Sequence, residues 1–320
     1  MNVTYNNCVF KASTPNKTAV EVDVTINTSA CTYVEINNPK VENMGVAEHY
    51  AVGAAGVCNL ETSGVGLGIV NVDGKGYSVA HTAAQLKALT NAGKDVTIQF
   101  AQDITAESST TAPYGNKYAF KLDGGVLDGN RHELHMECYG DDYGIMTSGG
   151  TIKNLTIKEG CRAVMIMYPQ SDVILDNVNI GGDGVLYPIN TGEAGAEGVN
   201  LVVTNSVLAG WTSYGLIESA SFTNVEFKQG TYYNNIYGRV LKPYVNTTMT
   251  NCSFVAHMNL DLSALGEGHK IVMKNCTDDG QAVIAAVFTV PTTNEQYDTE
   301  LFTIDLPSWA NSINDCVVFE

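Results

Sequence analysis

The sequence predicts an all-β fold in which short strands wind into a solenoid, and three observations lead there. One phrase recurs along the chain: apolar, polar, Asn, small apolar, polar, apolar. It reads Ile152-Lys153-Asn154-Leu155-Thr156-Ile157, then Leu175-Asp176-Asn177-Val178-Asn179-Ile180 and Val203-Thr204-Asn205-Ser206-Val207-Leu208. Phe222-Thr223-Asn224-Val225-Glu226-Phe227 and Met249-Thr250-Asn251-Cys252-Ser253-Phe254 follow, with a shortened copy at Met273-Lys274-Asn275-Cys276. Successive Asn residues lie 23, 28, 19, 27 and 24 positions apart, the period of repeats that bury their apolar face only by stacking on neighbours. Finally, the residues two before, one after and three after each Asn are mostly apolar. Strict alternation would put the first two of these on opposite faces of a strand, so the chain must turn at the Asn.

Asn154, Asn177, Asn205, Asn224 and Asn251 are therefore predicted to be structural corner residues, one per coil. Asn tolerates the left-handed backbone better than other non-glycine residues. Copies stacked at the strand spacing of about 4.8 Å would let their amides hydrogen-bond in a ladder.

The remaining elements follow in chain order. Residues 1–76 form a β-rich amino-terminal segment, in which Tyr5-Asn6-Asn7-Cys8-Val9-Phe10 fits the phrase and Val20, Val22, Val24 and Ile26 alternate with polar residues. A glycine-rich run from Gly53 to Gly76 marks the boundary. Residues 77–320 form the coil array. Thr82-Ala83-Ala84-Gln85 has the form of a capping box, with Leu86 and Leu89 after it and Gly93 to close, so the pattern predicts a helix over about 82–92. Val96, Ile98 and Phe100 then alternate as a strand. The chain ends on Ile313-Asn314-Asp315-Cys316-Val317-Val318, which reads as one more copy with Asp at the corner.

This pattern resembles the right-handed parallel β-helix of the pectate-lyase-like superfamily, found in polysaccharide lyases, polygalacturonases and phage tailspikes. Leu127-Asp128-Gly129-Asn130-Arg131-His132 is similar to a first-coil phrase of such proteins, with Arg131 where glycine is usual. The resemblance implies that the helix caps the open end of the stack. It covers about residues 77–290 and implies no single activity, because one scaffold carries many functions.

Composition narrows the partners. The net charge of −17, from 34 acidic and 17 basic residues, argues against nucleic acid, since phosphate binding requires clustered Lys and Arg. No apolar run is long enough to cross a membrane, so no membrane insertion is expected. The first residues show no basic region followed by an apolar stretch, hence no signal peptide is read there. An extracellular, cell-surface or virion location is expected on the resemblance. Cys8, Cys252, Cys276 and Cys316 share the small apolar position after a corner and are expected to be reduced core residues. Coil motifs at both ends of the chain make a homo-oligomer through the terminal coils a candidate assembly.

Enzyme motifs are weak. A polygalacturonase-like site would need carboxylates from neighbouring coils. Asp141-Asp142 is present, but no Gly-His-Gly or Arg-Ile-Lys phrase follows, and Gly266-Glu267-Gly268-His269-Lys270 has a different form. The acidic residues Asp123, Asp128, Glu133, Glu137, Asp141 and Asp142 are irregularly spaced and read as solvated turns. No catalytic residue, cofactor or metal site is assigned. What recurs is tyrosine, at Tyr168, Tyr187, Tyr214 and Tyr237, with Trp211 nearby. Aromatic rings in a row stack on sugar rings. Tyr187, Tyr214 and Tyr237, with Arg239 and Asp261 as polar neighbours, are accordingly the predicted glycan contact. The expected function is a non-catalytic surface or virion protein for adhesion, glycan binding or assembly. A polysaccharide lyase or glycoside hydrolase acting on the same face is the alternative.

Overall fold

A computed structural model describes residues 75–90, 96–288 and 302–320, apart from 113–114, 139, 161, 183, 193–197, 233–234, 238–239 and 258. Between 2 and 72 it describes short strands and Asn7, and for 231–240 the backbone alone. The protein is predominantly β with long parallel sheets. One sheet takes in strands from Asn2–Asn6 to Val317–Phe319. Its strands pair with strands one repeat later, in register. Ile152 pairs with Leu175, Leu175 with Val203, Val203 with Phe222, Phe222 with Met249 and Met249 with Met273.

That register makes columns of identical chemistry, and the columns are the core. The residue two before each corner forms the column just given. The residue three after it forms another, running Leu134, Ile157, Ile180, Leu208, Phe227 and Phe254. All of these are buried. The aromatic end continues inside the stack, with Phe227 and Phe254 stacked at 5.3 Å between ring centroids. Truncating one such side chain to Ala typically costs about 2–5 kcal/mol, because neighbours in two adjacent coils lose their contacts together.

The corners have the backbone the residue type favours. Asn154, Asn177, Asn205, Asn224, Asn251 and Asn275 all have positive φ, between 50° and 55°. Asn177 Nδ2 donates to Asn154 Oδ1 at 2.9 Å, Asn224 Nδ2 to Asn205 Oδ1 at 3.1 Å, and Asn251 Nδ2 to Asn224 Oδ1 at 3.3 Å. At the amino-terminal end Asn154 Nδ2 donates to Asp128 Oδ1. Asn7, in the first copy of the phrase, has φ 53°.

The helix runs Ala83–Thr90, within the expected span, and buries Leu86 and Leu89 in the core. Gln85 N–H donates to Thr82 Oγ1, and Gln85 Oε1 accepts from His81 N–H. The second bond therefore reaches one residue further than in the usual reciprocal box. No helix among the described residues is long and apolar enough to cross a membrane.

The terminal phrase needs correction. Ile313–Asp315 is a 3-10 turn, in which Asp315 accepts from the N–H groups of Asn311 and Ser312. The strand that follows, Val317–Phe319, places Val317 opposite Ile271. Asp315 is thus a capping residue and no corner. Its carboxylate prefers those local N–H donors to a place in the ladder, which is how a short acidic side chain behaves before a turn.

Candidate functional site

The outer face of the stack carries its own columns. Tyr118 pairs with Tyr143, Tyr143 with Arg162, and Arg162 with Tyr187. Arg162 lies between two rings, its Cζ 5.9 Å from the Tyr143 centroid and 5.4 Å from that of Tyr187. Its Nη2 donates to Asp141 Oδ1 at 2.8 Å. Tyr187 then stacks on Trp211, with centroids 5.3 Å apart and planes 19° from parallel. A parallel column, Lys121, Met146 and Met165, runs beside the first. Ala112, Tyr143, Met146, Met165 and Met167 pack into a small apolar cluster apart from the main core. The hairpin that pairs Thr110–Thr111 with Lys117–Tyr118 turns back beside it.

Beside that cluster lies a groove of about 410 Å³, with Tyr118 and Tyr168 among its walls and Met146 and Met167 beneath. Its polar side is Lys121, Asp123, Ser148 and Gln170. A second hollow of about 290 Å³ shares Asp123, Ser148 and Gln170 and is lined by Gly124, Gly125 and Gly150. Gly150 has φ 103°, and a Cβ there would lie 2.7 Å from the Gly124 carbonyl carbon. Only glycine lets the two coils approach so closely, and the paired strands shift register between Leu122 and Val126 as they pass it. That irregularity opens the hollow beside the groove.

The charges in the groove are committed. Asp123 Oδ2 is ion-paired to Lys121, and Asp123 Oδ1 accepts from Ser148 Oγ at 2.7 Å. Asp123 is the sole carboxylate among the lining residues of both hollows. Tyr168 is 41% exposed and has φ 50°, a corner-like conformation that turns the chain at the rim. The groove offers two tyrosines, two thioethers and a short line of donors and acceptors.

The residues the sequence pointed to are distributed differently. Tyr187 is half-buried and belongs to the outer column. Tyr214 is a correction: its ring is 0% exposed. It packs 5.2 Å from Phe222 and donates its hydroxyl to Thr247 Oγ1. Burial pushes its phenol well above the usual tyrosine range. The physical reason is parity. Trp211 takes the outward place against Tyr187, so the strand Thr212–Tyr214 turns Thr212 and Tyr214 to the other side. Asp261 is 8% exposed, ion-paired to Lys242 Nζ at 2.7 Å, and accepts from the Ser263 N–H. Burial pulls the Lys242 ammonium down, but the hydrogen bond and charge of Asp261 outweigh it and hold the group above its usual value. That carboxylate is engaged in packing and is not presented to a ligand. Arg239 and the Tyr237 side chain lie outside the described residues.

Tyr118, Tyr143 and Arg162 escaped the sequence reading because they precede the clean phrases or break the run of tyrosines. The signal that could have found the groove is the glycine pair. Gly124-Gly125 and Gly149-Gly150 recur 25 positions apart in a chain whose repeats have that period. Comparison with family models, curated proteins and solved structures gives no match.

Proposed function

We propose that the chain is a right-handed parallel β-helix that binds an extended glycan in the groove beside Asp123, without chemistry on the sugar, at a cell surface or on a virion. The fold part of this reading is supported by strands in parallel register one repeat apart and by left-handed Asn corners. The hand is that of nearly all crossovers between parallel strands of one sheet. The helix Ala83–Thr90, with its apolar side on the first coils, would cap the stack.

The observation that carries the binding reading is the pairing of Tyr118 and Tyr168 with Lys121, Asp123, Ser148 and Gln170 around one groove. Apolar surface with a few convergent polar groups is what small-ligand sites are made of. Ring faces beside hydroxyl-binding side chains suit a sugar, which is apolar on its C–H face and polar at its rim. The shared hollow extends the site along the strands, from Lys121 to Gly125 and from Met146 to Gly150, in keeping with a chain of rings. Hydrolysis of a glycosidic bond uses two carboxylates flanking it. Here one is present, with both oxygens already bonded.

A glycan array probed with the full chain tests the binding, and an assay for reducing and unsaturated ends on each hit tests the absence of chemistry. Retention of a defined glycan with no release of ends is the expected result. An empty array overturns the binding reading, and released ends replace it with a polysaccharide lyase or hydrolase.

A further inference from the structure

One apolar column ends on a charge. The inward positions Ile104, Leu134, Ile157, Ile180, Leu208, Phe227 and Phe254 follow one another in register, and the next residue in line is Asp278. Asp278 is 8% exposed, and its Oδ1 has no hydrogen-bond partner among the described residues. A carboxylate buried with one oxygen unmatched is costly unless something positive completes it.

What faces it is a set of ligand atoms. His257 Nδ1 lies 2.8 Å from Asp278 Oδ2, and His257 Nε2 lies 3.5 Å from Asp279 Oδ2. One ligand atom from each of His257, Asp278 and Asp279 falls within 4.8 Å of the others. The backbone fixes both sides. Asp279 and Gly280, with φ 44° and 80°, turn the hairpin between Thr277–Asp278 and Gln281–Ala282, and Asp-Gly is the favoured pair for such a turn. On the preceding coil, Ala256 and His257 have φ 66° and 53°, and Ala256 N–H donates to Asp279 Oδ1. The two turns are thereby held face to face.

We propose that His257, Asp278 and Asp279 hold a first-row divalent cation of the zinc, cobalt or manganese kind, which ties two successive coils near the carboxy-terminal end of the stack. One imidazole nitrogen with two carboxylates suits such ions better than calcium or magnesium, which favour all-oxygen shells. Ligand distances of about 2.0–2.2 Å place ligand atoms about 3–3.5 Å apart, so an ion would part the 2.8 Å contact of His257 Nδ1 with Asp278 and hold the three groups inside their present 4.8 Å limit. A cation there would also bring positive charge to the buried Asp278 carboxylate, whose Oδ1 is unmatched. Sequence spacing hides the site, because His257 and Asp278 are 21 positions apart and meet only across stacked coils.

The test is a titration of the full chain with Co²⁺, followed by calorimetry and visible absorption, on the parent and on His257→Ala and Asp278→Asn. The proposal expects one saturable site per chain with a d–d spectrum and no thiolate-to-cobalt band. Each variant should bind at least tenfold more weakly. Asp278→Leu extends the apolar column and serves as a folded variant that cannot bind, should Asp278→Asn fold poorly. No saturable binding by the parent, a thiolate band that places the ion on cysteine, or binding by folded variants equal to the parent would each overturn it.

Discussion

Asn205 Nδ2 donates to Asp176 Oδ1 at 3.0 Å, one coil back, and the same oxygen accepts from Thr204 Oγ1 at 2.6 Å. Asn154 makes the same kind of bond to Asp128, whereas Asn177, Asn224 and Asn251 donate to the corner amide of the coil before. Both acceptors stand one place before the corner of the preceding coil, Asp176 before Asn177 and Asp128 in register with Lys153, and the residue after the Asn205 corner is Ser206. That hydroxyl accepts from Val178 N–H and donates to Thr204 O. An acidic residue one place before the corner thus replaces the amide acceptor of the ladder, and beside Asn205 the buried Ser206 hydroxyl satisfies Val178 N–H as well.

Asn224→Ala should lower stability by about 1–2 kcal/mol. It removes the bonds to Asn205 and from Asn251, and it puts a Cβ residue at φ 55° with no local hydrogen bond to offset the strain. Asn224→Gly keeps the backbone and loses only the solvent-exposed bonds, so it should cost less than Asn224→Ala. Denaturant unfolding of the two variants separates the terms. Equal losses would mean that backbone strain at the corner contributes nothing.

Arg131→Gly should be neutral or stabilising by up to about 1 kcal/mol. Arg131 has φ 69°, a region where side-chain-bearing residues are strained and glycine is not. A rise in the thermal midpoint, or none, is the expected outcome. A clear fall would show that the Arg131 side chain makes contacts worth more than the strain.

Tyr214→Ala should be severely destabilising, by about 3–5 kcal/mol, because it empties a buried ring from beside Phe222. Tyr214→Phe should cost about 1 kcal/mol, the net worth of the bond to Thr247. Burial raises the folded-state pKa of this phenol above the unfolded value. Its contribution to stability is therefore whole below about pH 10, the ordinary tyrosine pKa, and declines as pH rises beyond it. Ultraviolet titration should find a tyrosine that ionises only with unfolding and that the Phe variant lacks.

Asp261→Asn should cost about 1–2 kcal/mol and leave glycan binding unchanged. It removes the charge that faces Lys242, and the figure stays below that of a fully buried pair because the lysine is partly solvated. A melting curve paired with a binding assay checks both halves of the statement.

The all-β, parallel character was legible because the core positions repeat with the coil: Leu175, Val203, Phe222 and Met249 recur at a fixed offset from Asn, and offset decides pairing. The left-handed corners were legible for a chemical reason, since few residues other than Asn accept that conformation. Tyr214 was misread because facing depends on parity within a three-residue strand, where one residue of error reverses every side chain. The groove was illegible for another reason. Asp123 and Tyr168 are 45 positions apart, and their meeting depends on glycine pairs that shift the register between coils. The terminal Asp315 shows the limit of a motif, because a phrase that fits letter by letter folded as a 3-10 turn once Ser312 and Asn311 offered it closer donors.

The most direct test of the central claim is the dissociation constant of the glycan retained by the parent chain, measured for Tyr168→Ala and Tyr187→Ala. Tyr168 is exposed at the groove rim, whereas Tyr187 is spoken for by Arg162 and Trp211. A loss of about tenfold, equivalent to about 1.4 kcal/mol, in Tyr168→Ala with Tyr187→Ala close to the parent is what the groove predicts. Parent-like affinity in Tyr168→Ala, with the loss falling on Tyr187→Ala or on neither, would contradict it.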